Sequence, residues 1–372
     1  MKKLYRKIKK RLNDLILKLH IYKTWIFEWI NIYNKRNIYK NTQLDKAQIV
    51  EIEEFWKKNY GKRILTKWHR LYQSYTGNFN VEYFPEILFS TKLEPLLNPR
   101  NVCKVLSDKS LLDILYRKEE EVSLPETYIV NCSGIFYDKE RNVIDKKRAI
   151  ELISDIGKCV LKVTVGESSG KGVLMCNFKN GKDIDSGEEI EKIFYRYSQN
   201  YIIQKRIKPN KDYTYIYDKS INTVRIVTYI VEDKIHHAPL VLRIGRGGKN
   251  VDNIHAGGIA IGVSDDGVLN KYAFTEMNKK FEKHPDTGVV FEGYILPGTK
   301  EIIKAAKKLH GKTPHLKIIS WDFTLDEECK PTLIEINIMA QSIWFPQMVN
   351  GKPFFEENTA YMLNLIRKNK KG

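Results

Sequence analysis

Three side chains near the C-terminal end have the types and spacing to hold a hard metal ion. In residues 317–339, KIISWDFTLDEECKPTLIEINIM, Ile318, Ser320 and Asp322 alternate with Ile319, Trp321 and Phe323. Leu333, Glu335 and Asn337 alternate in the same way with Ile334, Ile336 and Ile338. Period two puts each trio on one face of a strand. The polar stretch 326–331 between them, ending in Pro331, suits a hairpin loop. Paired antiparallel, the strands set Asp322 and Glu335 diagonally across one open face with Asn337 beside them. Two carboxylates and an amide oxygen suit Mg²⁺, which fills its remaining shell with water and substrate phosphates. A hairpin whose polar face simply meets water is the ordinary alternative.

Upstream lie groups that can meet phosphate. Residues 159–175, CVLKVTVGESSGKGVLM, read as a strand, a glycine-rich tip over 166–172, and a second strand. Backbone N–H groups in such a tip can fold over phosphates, and Lys162 or Lys171 can pair with them. The glycine spacing fits neither GxxxxGK[ST] nor GxGxxG, so alone it reads equally well as a β-hairpin turn. Residues 223–231, TVRIVTYIV, read as a strand with Arg225 inside it, a charge that needs a partner. Arg243 and Arg246 accompany a GRGG run, and DNIHAGG at 252–258 precedes the apolar 259–263. Cationic and hydrogen-bonding groups therefore accumulate ahead of Asp322 and Glu335.

The elements that must position these groups follow from periodicity. Helices are predicted over 2–20, 47–60, 146–155, 188–198, 297–310 and 356–368, with another around Trp68, His69 and Tyr72 after Gly61. His69, between Trp68 and Arg70, reads as structural. Residues 75–99, marked by Pro85, Pro95 and Pro99, read as irregular connections. In 102–116, CKVL reads as a strand and Ser107 or Asp108 as the cap of a following helix. Strands are predicted at 128–131 and 201–207, and 236–244 continue a sheet.

Length and charge bound the rest. The 372 residues suggest two or three domains, and 42% hydrophobic residues are enough for real cores. Of the net charge of +18, residues 1–50 carry +10, from thirteen Lys or Arg against three Asp or Glu. A basic end on a nearly ordinary body argues against a nucleic-acid groove along the whole protein, so no specific nucleic-acid partner is expected. The first 30 residues combine a basic amphipathic pattern with Trp25, Phe27 and Trp29, which suits an anionic membrane surface. The alternatives are a helix packed on its own body or on a partner, and, more weakly, RNA. Five scattered cysteines, odd in number and without a CxxC pair, argue against disulfides or zinc and fit a reducing cytosol. Neither a spanning run of about 18 apolar residues nor a secretory leader pattern is present.

The order of motifs carries a resemblance. An Asp108-Lys109 helix start, Pro125-x-Thr127, Lys162 before a glycine hairpin, the strand holding Gln204 and Ile207, an Arg225 strand, Asn253-x-His255-x-Gly257-Gly258, an Asp322 strand and Glu335-x-Asn337 follow one another. This order resembles the ATP-grasp superfamily over roughly 102–365. YGKRILTKWHRLY and YFPEILF, within 59–116, make the chain look more like the sugar-transfer-associated ATP-grasp family, which is linked to surface-polysaccharide synthesis.

The resemblance implies an α+β ATP-grasp fold, two subdomains gripping ATP between antiparallel sheets, behind a basic helical extension. The implied divisions are 1–58 (extension), 59–145 (N-terminal part of the catalytic region), 146–208 (lid) and 209–372 (core with the metal site). It implies that Lys162 holds phosphates and that Gly166, Ser168, Ser169, Gly170 and Lys171 cover them. Gln204, Lys205 and Ile207 would line the adenine. Arg225 would bind phosphate or the developing acyl phosphate. Arg243 and Asn253, with His255, would face the γ-phosphate and a carboxylate substrate. Asp322, Glu335 and Asn337 would hold Mg²⁺. Two departures from the family pattern are Val163, where a proline often follows the lysine, and Gln204, where many members carry glutamate.

The implied activity is an ATP-dependent carboxylate–amine ligase that works through an acyl phosphate. Its expected substrates are a sugar acid, glycan, amino acid or peptide in capsule or O-antigen synthesis. The expected location is the cytoplasm, with peripheral contact at the inner face of the membrane. A kinase or phosphotransferase on the same fold, or a nucleotide-binding scaffold for a glycosyltransferase complex, are the alternatives.

Overall fold

The computed structural model describes residues 2–166 and 172–369. Two antiparallel sheets organise the chain. The first contains β1 (Thr127–Cys132), β2 (Ile135–Tyr137), β3 (Val143–Ile144), β4 (Gly157–Val163), β5 (Val173–Lys179), β6 (Lys182–Asp183) and β7 (Tyr201–Lys205), in the order β3-β2-β1-β7-β4-β5-β6. The second contains β8 (Thr223–Val231), β9 (Lys234–His237), β10 (Leu240–Ile244), β11 (Ile259–Val263), β12 (Leu269–Phe274), β13 (Lys280–Phe281), β14 (Ile318–Leu325) and β15 (Pro331–Asn337). Its order is β13-β12-β11-β10-β8-β14-β15, with β9 paired to β8. The first sheet begins at Thr127, so it starts before the boundary expected at 146 and takes in β1 to β3.

Both faces of the second sheet are covered, which is why its strands are almost continuously apolar. Val224 and Ile226 pack with Ile302 and Leu309 of the helix Thr299–His310 on one face. Val227 and Tyr229 pack on the other, against Ile52 and Trp56 of the helix Lys46–Tyr60. That helix has a capping box between Asp45 and Gln48 and ends at Gly61, whose φ of +79° is a left-handed cap that favours glycine. His69 is buried against Trp56 and Tyr83 and bonds the Val81 carbonyl at 3.0 Å. It is a core histidine, as its neighbours in sequence suggest.

Three local readings change. The CKVL stretch is helical, within Arg100–Leu106, because Val102, Cys103 and Leu106 form a one-and-four stripe against the core rather than an alternating strand. Asp108 does act as a cap, accepting from the Ser110 N–H at 2.9 Å, but of a short 3₁₀ turn, Lys109–Leu111. Residues 86–97 are helical rather than irregular, with one wide turn at Phe89–Leu93. The N-terminal helix, α1, runs over Lys2–Asn34, well past the expected end at 20. Its C-terminal half is anchored by Ile32 and by Trp29, which meets Trp68 edge-on.

Candidate active site

Strand register builds the site. On four adjacent strands of the second sheet, Arg243 pairs with Thr223, Asp322 with Arg225, and Asp322 with Glu335 on its other side. Ser320 pairs with Asn337. Asp322 and Glu335 are therefore directly opposite, not diagonal. A bulge after this pair leaves Ile334 unmatched and shifts the rest of the hairpin by one residue.

Asp322 is not on an open face. It is 2% exposed and gripped by two arginines. Arg225 Nε donates to Oδ1 and Nη2 to Oδ2, both at 2.8 Å, and Arg243 Nη2 lies 3.2 Å from Oδ2. Asn337 Nδ2 donates to the same oxygen at 3.4 Å. Burial alone raises a carboxyl pKa, but here Arg225 and then Arg243 outweigh it and hold Asp322 below the usual carboxylate range. Arg243 also lies 3.2 Å from Asp252 and donates to the Thr223 hydroxyl at 2.8 Å, and that hydroxyl donates to Asp252. Burial raises Asp252 despite Arg243.

Glu335 is the more accessible carboxylate, its side chain 32% exposed, and it pairs with Lys109 at 3.3 Å. Among the described residues no group of three or more His, Cys, Asp or Glu side chains forms a ready metal centre. The oxygen donors still fit Mg²⁺ of the kind that shares its shell with phosphates. Asp322 Oδ1 takes only one hydrogen bond, and Glu335 stands beside it.

The lid-side sheet forms the opposite wall. Alternate residues of three adjacent strands face the same cleft: Val160 and Lys162, Val173 and Met175, Ile202 and Gln204. Lys162 is the one charged group of this set, which is apolar apart from Gln204. Burial pulls its pKa down to about 8, opposed by Glu335 and assisted by Lys109. Gln204 is buried and donates to Thr127 Oγ1 at 3.1 Å. The Lys205 N–H is taken by the Glu126 carbonyl, and its side chain is exposed.

The cleft measures about 310 Å³. It brings together Lys162, Gln204, Lys205, Ile207, Arg225, Arg243, Asn253, His255, Asp322, Glu335 and Asn337. Gly166 has φ +86° and does not line it. Ser168, Ser169, Gly170 and Lys171 lie outside the described residues. Asn253 spends its side-chain oxygen capping the turn Ile254–Ala256. His255 is half exposed; its Nδ1 lies 2.7 Å from Glu276, which Lys35 of the α1–Arg36 junction also bonds at 2.9 Å.

Sequence reasoning missed Lys109, Thr223 and Asp252 as site residues. Lys109 was visible only as part of a helix start. Asp252 stands next to Asn253 in a motif already singled out, but its partner Arg243 comes from another strand.

A family model and several solved structures are similar to the chain. The profile of a family described as sugar-transfer associated ATP-grasp matches residues 88–361, most of the chain. No curated protein sequence matches it. Among solved structures, D-alanyl-alanine synthetase A from Vibrio cholerae O1 biovar eltor is similar with TM-score 0.40 and 15% identity, over 71% of this chain and 64% of that one. N5-carboxyaminoimidazole ribonucleotide synthetase in its ADP complex gives TM-score 0.38 and 12% identity, over 64% of this chain and 47% of that one. An L-amino acid ligase from Bacillus licheniformis gives 0.37 and 10%, over 71% and 47%. The chain thus spans about half to just under two-thirds of the length of these structures.

Proposed function

The chain belongs to the sugar-transfer associated ATP-grasp family, and from that premise we propose that it is an ATP-dependent carboxylate–amine ligase. One observation carries the reading. A single cleft between two antiparallel sheets sets a half-buried lysine, Lys162, across from a carboxylate–guanidinium array, Arg225, Arg243, Asp322 and Glu335. Phosphoryl transfer needs this combination, because its catalysis is mostly positioning and charge stabilisation.

ATP lies in the cleft, its base against Val160, Met175, Ile202 and Ile207 and its phosphates toward Lys162 and the arginines. Asp322 and Glu335 would hold Mg²⁺, which would supply neutralisation of phosphate charge. A substrate carboxylate oxygen attacks the γ-phosphorus, and ADP leaves. Arg225 and Arg243 hold the resulting acyl phosphate. The amine then attacks the carbonyl carbon, loses a proton, and phosphate departs with the oxygen that bridged it. Closure of the cleft keeps water from this reactive intermediate.

The carboxylate is a sugar acid, glycan, amino acid or peptide intermediate of surface-polysaccharide synthesis, a reading that rests on the family's description. The protein works peripherally on an anionic membrane. Support comes from α1, where Leu12, Leu15, Ile16, Leu19, Trp25 and Ile30 are exposed on a segment that is basic in sequence. No helix among the described residues is long and apolar enough to cross a membrane.

ADP release measured over pairs of carboxylates and amines tests the activity. Release that requires both partners supports the ligase. Release that requires only the carboxylate, with a stable phosphorylated product, favours a kinase instead.

A further inference from the structure

A second and larger cavity, of about 860 Å³, lies beneath α1 and adjoins the nucleotide cleft. The two share His255, Ala340, Gln341 and Ser342 as lining. Beside Glu276, which pairs with Lys35 and His255, three carboxylates from distant parts of the sequence line it: Glu28 on α1, and Glu86 and Glu94 on the helical run 86–97. They are 8%, 6% and 9% exposed. None makes an ion pair among the described residues.

Glu86 and Glu94 each hold part of the backbone that follows β15. Glu86 accepts from the Ile343 N–H at 3.1 and 3.2 Å, and Glu94 from the Gln341 N–H at 2.8 Å. Glu28 anchors no backbone group; it receives Ser90 Oγ at 3.4 Å and lies beside Asn31. Burial raises all three, Glu28 and Glu94 to about 7 and Glu86 well above the ordinary carboxylate range. Burying a carboxylate without a cation is costly, and such groups protonate instead.

A second observation points to a ligand. Gln341, 6% exposed, lines both cavities, and neither its amide nitrogen nor its oxygen has a hydrogen-bond partner of normal geometry, although Glu94 is close by. The Ser342 hydroxyl likewise has no partner of normal geometry among the described residues, although Glu86 is close by. Buried polar atoms are nearly always satisfied, so this wall is shaped for an occupant.

We infer that this second cavity is the amine-substrate site, with the ammonium group held by the Glu28–Glu86–Glu94 cluster and Gln341 at the junction with the nucleotide cleft. The assignment rests on the ligase reading for what that amine then attacks. An ammonium supplies the counter-charge that the cluster lacks and the donors that its oxygens can accept. Leu17, Phe27, Ile32 and Trp344 provide an apolar wall for the carbon skeleton. Exposed His20 and Lys23, with half-buried Arg100, line the same cavity, so the molecule is free to carry an anionic group as well. Glu28 and Glu86 lie outside the family-matched residues 88–361, and Glu94 lies within them.

The test uses the full chain and ligand-observed NMR titrations with glycine, glucosamine, phosphoethanolamine and 1,3-diaminopropane, each beside its N-acetylated form. At least one amine should bind saturably, and its N-acetylated form about tenfold more weakly or worse. Glu28→Gln, which keeps size and removes the charge, should weaken that amine at least about tenfold. Thr24→Phe, which fills the cavity from α1 without touching a carboxylate, should weaken it too. MgATP affinity should be unchanged in both variants. The inference is overturned if no amine in the set binds wild type, if amine and N-acetyl forms bind alike, or if neither variant weakens the amine. Failure of MgATP to bind wild type would instead overturn the nucleotide reading, and the amine titrations would still decide this one.

Discussion

Replacing Asp322 by Asn should cost far more stability than replacing Glu335 by Gln, although the two residues face each other in one hairpin. Asp322 is 2% exposed and sits within 2.8 to 3.2 Å of two guanidinium groups. Removing its charge leaves Arg225 and Arg243, only 19% and 10% exposed at the side chain, facing each other without it. Breaking a buried pair from one side costs about 3–5 kcal/mol. Asp252, still 3.2 Å from Arg243, places the expected loss at the lower end, about 3 kcal/mol. That corresponds to a fall in Tm of about 4 °C for a chain of this length. Glu335 and Lys109, 32% and 16% exposed, form a wetter pair, so Glu335→Gln should cost about 1 kcal/mol or less. Thermal unfolding followed by circular dichroism, without nucleotide, makes the comparison. Equal Tm values for the two variants would refute the claim that Asp322 is the structural counter-ion of the arginines.

Three other outcomes are expected. Lys162, pulled down to about 8 by burial, is fully charged only below that pH, so ATP affinity should fall as pH rises from 7 to 9. Lys162→Arg should flatten that profile, and Lys162→Ala should reduce turnover about 10²-fold, as for loss of one preorganised donor; a wild-type profile as flat as the variant's contradicts the assignment. Glu94, raised to about 7 from an ordinary 4.5, favours the folded state only while protonated, so its contribution is lost as pH rises from about 4.5 through 7. In urea titrations at pH 5.5 and 8, Glu94→Gln should therefore shrink the wild-type loss of stability by about 2 kcal/mol, the remainder coming from Glu28 and Glu86, which burial also raises; an unchanged difference removes the argument. Vesicles of phosphatidylglycerol should bind the full chain and those of phosphatidylcholine should not, with binding weakened by salt. Replacing exposed Leu19 and Ile30 together by Ser should cut that binding about tenfold or more, and an unaffected variant would return α1 to a packing role.

Elements with a clean period were legible before the fold was known. β8 occupies the stretch 223–231 that its alternation marks, and the hairpin around 326–331 forms where the polar run and Pro331 place it. Arg225 was read as a charge needing a partner, and Asp322 is that partner. The CKVL stretch failed because three apolar residues in a run of four fit either period, and only packing against the core decided for a helix. The burial of Asp322 was hidden for a related reason: alternation tells which face a side chain takes, not what covers that face. The cavity under α1 was beyond sequence reasoning, since Glu28, Glu86, Glu94 and Gln341 belong to segments that only tertiary contact joins.

The central claim, an acyl phosphate on the path to an amide, is tested most directly by isotope transfer. A carboxylate substrate carrying ¹⁸O in both oxygens is incubated with MgATP, the amine and the enzyme, and the released phosphate is analysed by mass spectrometry. One ¹⁸O should pass to each phosphate, while the other stays in the amide carbonyl. Phosphate free of label, released at the same rate, would contradict the account.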